Sequence, residues 1–215
     1  MRKDLFMSLR HQPKAALIND FSGFGRCSVT VALPIISQMK VQCCPVLTSV
    51  FSNHTGYPSF YFDDYTEKMP SYIAEWKKLN LHFECIAAGF LGSERQIEIV
   101  KNFIRDFKDE TTKVLIDPVM GDHGRTYQTF TPEMCSQMKQ LAHFADILTP
   151  NLTEACILTD TPYHDGHWQM SELAELALSL IAMGPSKVVI TGVSMGTFIG
   201  NVICESGGTP SVVKR

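Results

Sequence analysis

The chain has 215 residues, 45% of them hydrophobic and 19% charged, with a formal net charge of −3. That length supports one domain spanning 1–215, able to bury roughly 70% of its unfolded surface. The composition excludes a disordered chain, and the lack of a basic excess argues against nucleic acid as a partner.

Taken in chain order, short β-rich runs alternate with longer runs of helical spacing. Ala15–Asn19 is expected to be a buried strand and Ser28–Lys40 a helix, which Pro34 must kink or delay. Cys43–Val50 is the second strand, Pro70–Leu79 an amphipathic helix and Phe83–Ala88 the third strand. Glu94–Phe107 places Ile97, Val100, Ile104 and Phe107 at helical spacing, and Lys113–Asp117 returns to strand. Thr131–Phe144 begins with an N-cap threonine and Pro132 at the first helical position. Asp146–Thr149 (strand), Asn151–Thr159 (short helix), Met170–Met183 (helix ended by Gly184-Pro185), and the strands Lys187–Thr191 and Thr197–Cys204 complete the pattern.

No apolar run approaches the roughly 18 residues of a membrane span. Met1–Pro13 lacks the apolar centre of a signal peptide. The seven cysteines (27, 43, 44, 85, 135, 156 and 204) contain no CxxC pair, so neither a zinc knuckle nor a disulfide framework is expected. Scattered thiols suit a reducing, cytoplasmic setting.

Strands separated by helices imply an α/β fold with a mostly parallel sheet covered on both faces. Ligands of such sheets bind beyond the carboxyl ends of the strands. Those ends here are polar or small: Asn19-Asp20, Ser52-Asn53-His54-Thr55-Gly56, Gly89, Asp117 to Asp122, Thr149-Pro150-Asn151 and Thr191-Gly192. Asp117 and Asp122 flank a glycine-containing loop. Two carboxylates so placed could hold hydrated magnesium and a nucleotide tail, or simply form a turn. Asn151 and Glu154 have the spacing of a capping box, a structural role compatible with a water-mediated metal contact. Ser22-Gly23-Phe24-Gly25 is neither GxGxxG nor a P-loop, and its bland reading is a tight strand-to-helix turn. Gly192–Gly196 matches GxSxG, but no histidine or aspartate follows Ser194 and the next segment reads as strand, so a serine hydrolase is rejected. His164 and His167 could bind a metal, although a solvated loop is the simpler reading.

Four segments in order resemble one family. Ile18-Asn19-Asp20-Phe21-Ser22-Gly23, Ser52 to Tyr57, Asp117 to Asp122 and Thr149 to Glu154 look like the vitamin B6 kinases of the ribokinase-like superfamily, from about Ala15 to Cys204. The resemblance implies a three-layer α/β/α sandwich, usually a homodimer, that transfers the γ-phosphate of ATP to the 5′-hydroxymethyl group of pyridoxal, pyridoxamine or pyridoxine. It places Asn19, Asp20, His54, Thr55 and Phe90 around the pyridine ring. It places Asp117, Tyr127, Thr149, Asn151, Glu154, Thr191 and Gly192 on the nucleotide side. Asp117, Asp122 and Glu154 are the expected Mg2+ residues, with a monovalent cation such as K+ also compatible.

The family's Gly-Thr-Gly-Asp segment, which carries the catalytic aspartate, does not occur in residues 1–215, so no catalytic residue is named. Oxyanion-type donors of that kind can each contribute about 3 kcal/mol. A general base contributes roughly 10²–10⁴-fold in rate. The expectation is weak or absent turnover and exposed apolar surface on one sheet face. Two alternatives stand beside it: a hydroxymethylpyrimidine kinase, favoured by Asp20, Ser22 and Gly23, and a non-catalytic vitamer- or nucleotide-binding or dimerisation module.

Overall fold

The computed structural model describes residues 12–127 and 130–214, and the segment expected to lack a signal peptide lies almost wholly outside them. In chain order the elements are β1 (Lys14–Phe24), α1 (Ser28–Gln38), β2 (Gln42–Asn53), β3 (Phe62–Asp64), α2 (Met69–Lys78), β4 (Cys85–Ala88) and α3 (Glu94–Phe107). There follow β5 (Lys113–Ile116), β6 (Gly121–Asp122), β7 (Arg125–Thr126), α4 (Pro132–Ala142), β8 (Ile147–Leu148), α5 (Leu152–Thr159), α6 (Met170–Ala182), β9 (Lys187–Met195), β10 (Phe198–Glu205) and β11 (Ser211–Lys214).

Nine of these strands form one sheet in the order β11-β10-β9-β8-β5-β4-β1-β2-β3, and β6 and β7 form a separate ribbon. The run from β2 through β1, β4, β5 and β8 to β9 is parallel. Among the described residues of this sheet, antiparallel pairing is confined to the two edges, β2 with β3 at one and β9–β10–β11 at the other. The expected mostly parallel α/β sheet is therefore present.

The two sheet faces are covered unequally. Ala16, Ile18, Ile86, Ala88, Val114, Ile116, Leu148, Val188 and Ile190 point into a core closed by α2 to α6. The aromatic stripe of α3 packs tightly there, with Phe103 and Phe107 ring centroids 4.5 Å apart and both rings near Phe83. On the other face α1 packs against β1 and β2. Farther along that face Cys85, Ala87, Leu115, Ile147 and Val189 stay half-buried. A helix as apolar as Ser28–Gln38 is normally enclosed. In α1 only Val29 is buried, while Val31, Leu33 and Ile35 are exposed.

Several expectations need correction. β1 does not end at Asn19. It passes a register irregularity between Asn19 and Phe21 and continues beside β2 to Phe24, so most of Ser22-Gly23-Phe24-Gly25 is strand rather than turn. Gly23 permits this, because a Cβ there would lie 3.0 Å from the Ser52 carbonyl oxygen. α1 starts undelayed at Ser28 and carries Pro34 inside it. The sequence pattern does not reveal β3, the β6–β7 ribbon or β11. β3 is held from a distance: the Gln96 amide donates to the Thr48 carbonyl (2.8 Å), Thr66 Oγ1 (2.7 Å) and Asp64 Oδ1 (3.2 Å). Ser194 of the GxSxG match lies in β9, paired with Ile199 of β10, so no strand-to-helix elbow exists. No described helix is long and apolar enough to cross a membrane.

Candidate functional site

Backbone hydrogen bonds step the strand ends onto one rim. Gly89 N donates to Ile18 O (2.9 Å), Asp117 N to Ala88 O (2.8 Å), Thr149 N to Ile116 O (3.0 Å) and Thr191 N to Pro150 O (2.8 Å). The rim has an aromatic half at β1, β2 and β4 and an acidic half at β5, β8, β9 and α5.

In the aromatic half, Asn19 Oδ1 accepts the amides of Asp20 and Phe90, each at 3.0 Å. Its NH₂ group lies against Gly89, where a Cβ would approach Nδ2 to 2.6 Å. Asn19 thus keeps its NH₂ as the group available to a ligand. Asp20, expected among the ring contacts, is turned inward. It is buried, and its two oxygens accept from Ser22 Oγ (3.0 Å) and Ser28 Oγ (2.5 Å). It pins the Gly25–Ser28 loop, in which Arg26 and Ser28 both have positive φ, and it is better described as a loop anchor.

The His54 ring is gripped between two glycines. A Cβ on Gly25 or Gly56 would come within 2.2 or 2.8 Å of it. Nδ1 accepts the Gly56 amide at 3.1 Å, which leaves the ring proton on Nε2. Tyr57 lies 4.7 Å from His54 and 5.6 Å from Phe24. Phe90 meets Phe51 edge-on at 6.0 Å, and Thr55, next to His54 in the chain, is exposed.

The acidic half is built by the start of α5. Asn151 caps the helix by accepting the Glu154 amide (2.9 Å), and Glu154 Oε2 accepts the Asn151 amide (2.8 Å), completing the capping box read from the spacing. The same side chains hold the loop after β5: Glu154 Oε1 accepts Met120 N (3.1 Å) and Asn151 Nδ2 donates to Gly121 O (2.8 Å). Gly121 has no room for a side chain, since a Cβ would fall 2.2 Å from Arg125 O. The ribbon then turns through His123 and Gly124, whose φ values of +50° and +73° match the positive pair that a two-residue hairpin needs. This turn displays Asp122, with its side chain half exposed, and leads to Tyr127, whose amide donates to Met120 O (2.9 Å).

The electrostatics place these groups together. Burial pushes Asp117 up to about 6, against a hydrogen bond from Thr149. Burial also pushes Glu154 up to about 8, helped by the nearby Asp117 charge and opposed by the backbone amides it accepts. Tyr127 is raised by burial and by Glu154, Asp122 and Asp117 together. Among the described residues, no basic side chain contributes to the shift of the half-buried Asp117 or the buried Glu154. Such a pair of carboxylates suits a divalent cation. The described residues form no closed cluster of three or more His, Cys, Asp or Glu ligands. Mg2+ commonly takes one or two carboxylates and completes its shell with phosphate and water, so the residues fit that mode. Thr191 bridges Asn151 in the sheet, and Gly192, at φ +70°, donates its amide to Asn201 Oδ1 (3.2 Å).

His164 stacks on Trp168 at 4.2 Å and faces Glu172, so the structure gives the His164/His167 pair no metal geometry. Thr153 and Tyr163, which sequence reasoning did not single out, contact Gly124. The His-Gly pair between Asp122 and Arg125 was the available signal for the turn they hold.

Comparison with known proteins gives the family of the chain. The family described as phosphomethylpyrimidine kinase matches residues 33–213. A pyridoxal kinase of Arabidopsis thaliana is 31% identical over 182 residues, covering 79% of this chain and 56% of its own length. The chain thus spans little more than half of that relative. A Bacteroides thetaiotaomicron protein assigned as a phosphomethylpyrimidine kinase, crystallised with pyridoxal, superposes with a TM-score of 0.90 at 43% identity, covering 95% of this chain and 72% of that one. A Lactobacillus plantarum pyridoxal kinase gives a TM-score of 0.86 at 27% identity, covering 95% and 73%. The chain belongs to the phosphomethylpyrimidine kinase family, the ribokinase-like group in which its relatives include pyridoxal kinases.

Proposed function

We propose that residues 1–215 form one kinase domain that binds a B6 vitamer in the aromatic half of the rim and ATP in the acidic half, for phosphoryl transfer to the 5′-hydroxymethyl group. The observation that carries this reading is the pairing of a cluster of aromatic rings with two carboxylates, the half-buried Asp117 and the buried Glu154, on one strand-end rim. Asn19 would donate its NH₂ group and His54 its Nε2–H to polar atoms of the heterocycle, with Phe90 along the ring and Thr55 at the mouth. Asp117, Asp122 and Glu154 would hold Mg2+, which when bound neutralises the transferring phosphates. Tyr127, Thr149, Asn151, Thr191 and the Gly192 backbone would line the nucleotide. Pyridoxal bound to the Bacteroides relative favours the vitamer over hydroxymethylpyrimidine.

The expected partner is a second copy of the chain. The exposed apolar residues Val31, Leu33 and Ile35 of α1 are where that contact would be sought. All seven cysteines are free thiols, in keeping with a cytoplasmic setting. Calorimetric titration tests the reading: pyridoxal and Mg·ADP are expected to bind together, and pyridoxal to displace hydroxymethylpyrimidine. Binding of pyridoxal with no response to Mg·ADP would instead favour the non-catalytic module.

A further inference from the structure

The ribbon that carries Asp122 is held by α5 and by the loop that follows it. Gly124 N donates to Thr153 Oγ1 at 2.9 Å. The Tyr163 ring lies so close to Gly124 that a Cβ there would meet its ring carbons at 2.5–2.6 Å. Thr153 is buried, so its hydroxyl is fixed by packing as well as by this bond. The turn itself is costly, because His123 holds a left-handed φ of +50°. Two-residue strands cannot enforce such a turn alone, since an isolated hairpin is marginal at best in water. The flanking contacts must supply the rest: Asn151 on Gly121 O, Glu154 on Met120 N, Thr153 on Gly124 N and Tyr163 on Gly124.

We infer that Thr153 and Tyr163 are positioning residues that clamp the tip of the β6–β7 ribbon and so aim Asp122 at the nucleotide's metal, an inference that rests on the acidic half of the rim being the nucleotide site. Neither residue is placed on the ligand. They act through Gly124, two residues from Asp122 in a turn whose backbone tolerates few alternatives. The clamp's effect should therefore fall on Mg·ADP and leave pyridoxal, at the far end of the rim, untouched.

The test uses the whole chain with two probes, Mg·ADP and pyridoxal. Thr153→Val keeps the side-chain shape and removes the acceptor, and Thr153→Ser restores it. Thr153→Val is expected to weaken Mg·ADP about ten-fold, to leave pyridoxal within two-fold, and to be rescued by Thr153→Ser. Tyr163→Leu should weaken Mg·ADP in the same selective way. Amide exchange at Gly124 should accelerate in Thr153→Val and return in Thr153→Ser. Native-like Mg·ADP affinity in Thr153→Val, equal loss of both ligands, or failure of serine to rescue would overturn the inference. Absence of Mg·ADP binding in the native chain would refute the nucleotide-site reading instead. In that event unchanged Gly124 exchange in Thr153→Val would still refute the clamp.

Discussion

The two halves of the rim are assembled by opposite means. In the acidic half the side chains are already engaged with the backbone: both Glu154 oxygens and both ends of the Asn151 amide have main-chain partners. In the aromatic half the rings rest on one another around the buried Phe51, His54 and Phe90 are half-buried, and Phe24 and Tyr57 are 64% and 40% exposed. The first half is a rigid frame whose geometry is part of the fold. The second is a surface whose shape a flat ligand could complete. Mutations in the first half should therefore cost stability as well as nucleotide affinity, and those in the second mainly vitamer affinity.

The largest effect is expected from Glu154→Ala. It orphans two backbone donors and removes half of a capping box, which should cost about 2–4 kcal/mol in urea unfolding. Glu154→Gln, which keeps an acceptor oxygen, should cost clearly less. A fully stable Glu154→Ala would erase the distinction between the halves.

Next comes a mirrored pair read by calorimetry. Asp117→Asn should weaken Mg·ADP by at least about ten-fold, as expected for loss of a charged partner, with pyridoxal unaffected. His54→Ala or Phe90→Ala should weaken pyridoxal by about three- to ten-fold, the scale of an aromatic contact, with Mg·ADP unaffected. Cross-effects of equal size would mean that the two halves are one site.

The smallest effect is a pH dependence. Asp117 and Glu154 have folded-state values raised to about 6 and about 8, above their unfolded values. The folded chain then holds protons more tightly than the unfolded one. This contribution to stability is complete below the unfolded values and is lost as pH rises through about 6 and then about 8. In magnesium-free buffer the melting temperature should fall between pH 5 and pH 8.5, and Glu154→Gln should flatten the upper part of that slope. Asp109, lowered to about 2 by the Thr111 hydroxyl and amide, acts oppositely but only below about pH 4, outside the window. A flat native profile would show that the carboxylates are better solvated than their burial implies.

What could be read from the chain beforehand follows the same division. The parallel core was legible because Ile86, Val114, Ile116 and Leu148 lie in short apolar runs between helices of clear spacing. The Asn151–Glu154 box was legible because capping depends on a local three-residue interval. Asp20 was misplaced because strand propensity says nothing about the Ser22 and Ser28 hydroxyls that turn it inward. β3 was missed because Gln96, more than thirty residues away, holds it. The ribbon was missed because two-residue strands leave no periodicity, and only the His-Gly pair marked the bend.

The capping box has a consequence for the molecule's fluctuations. Glu154 both caps the start of α5 and holds the loop after β5, so that helix cannot fray at its first turn without releasing that loop. Opening of the helix end and release of the acidic rim are then a single cooperative event. Any guest that settles between Asp117 and Glu154 should slow deuterium uptake along α5, including at amides it never touches.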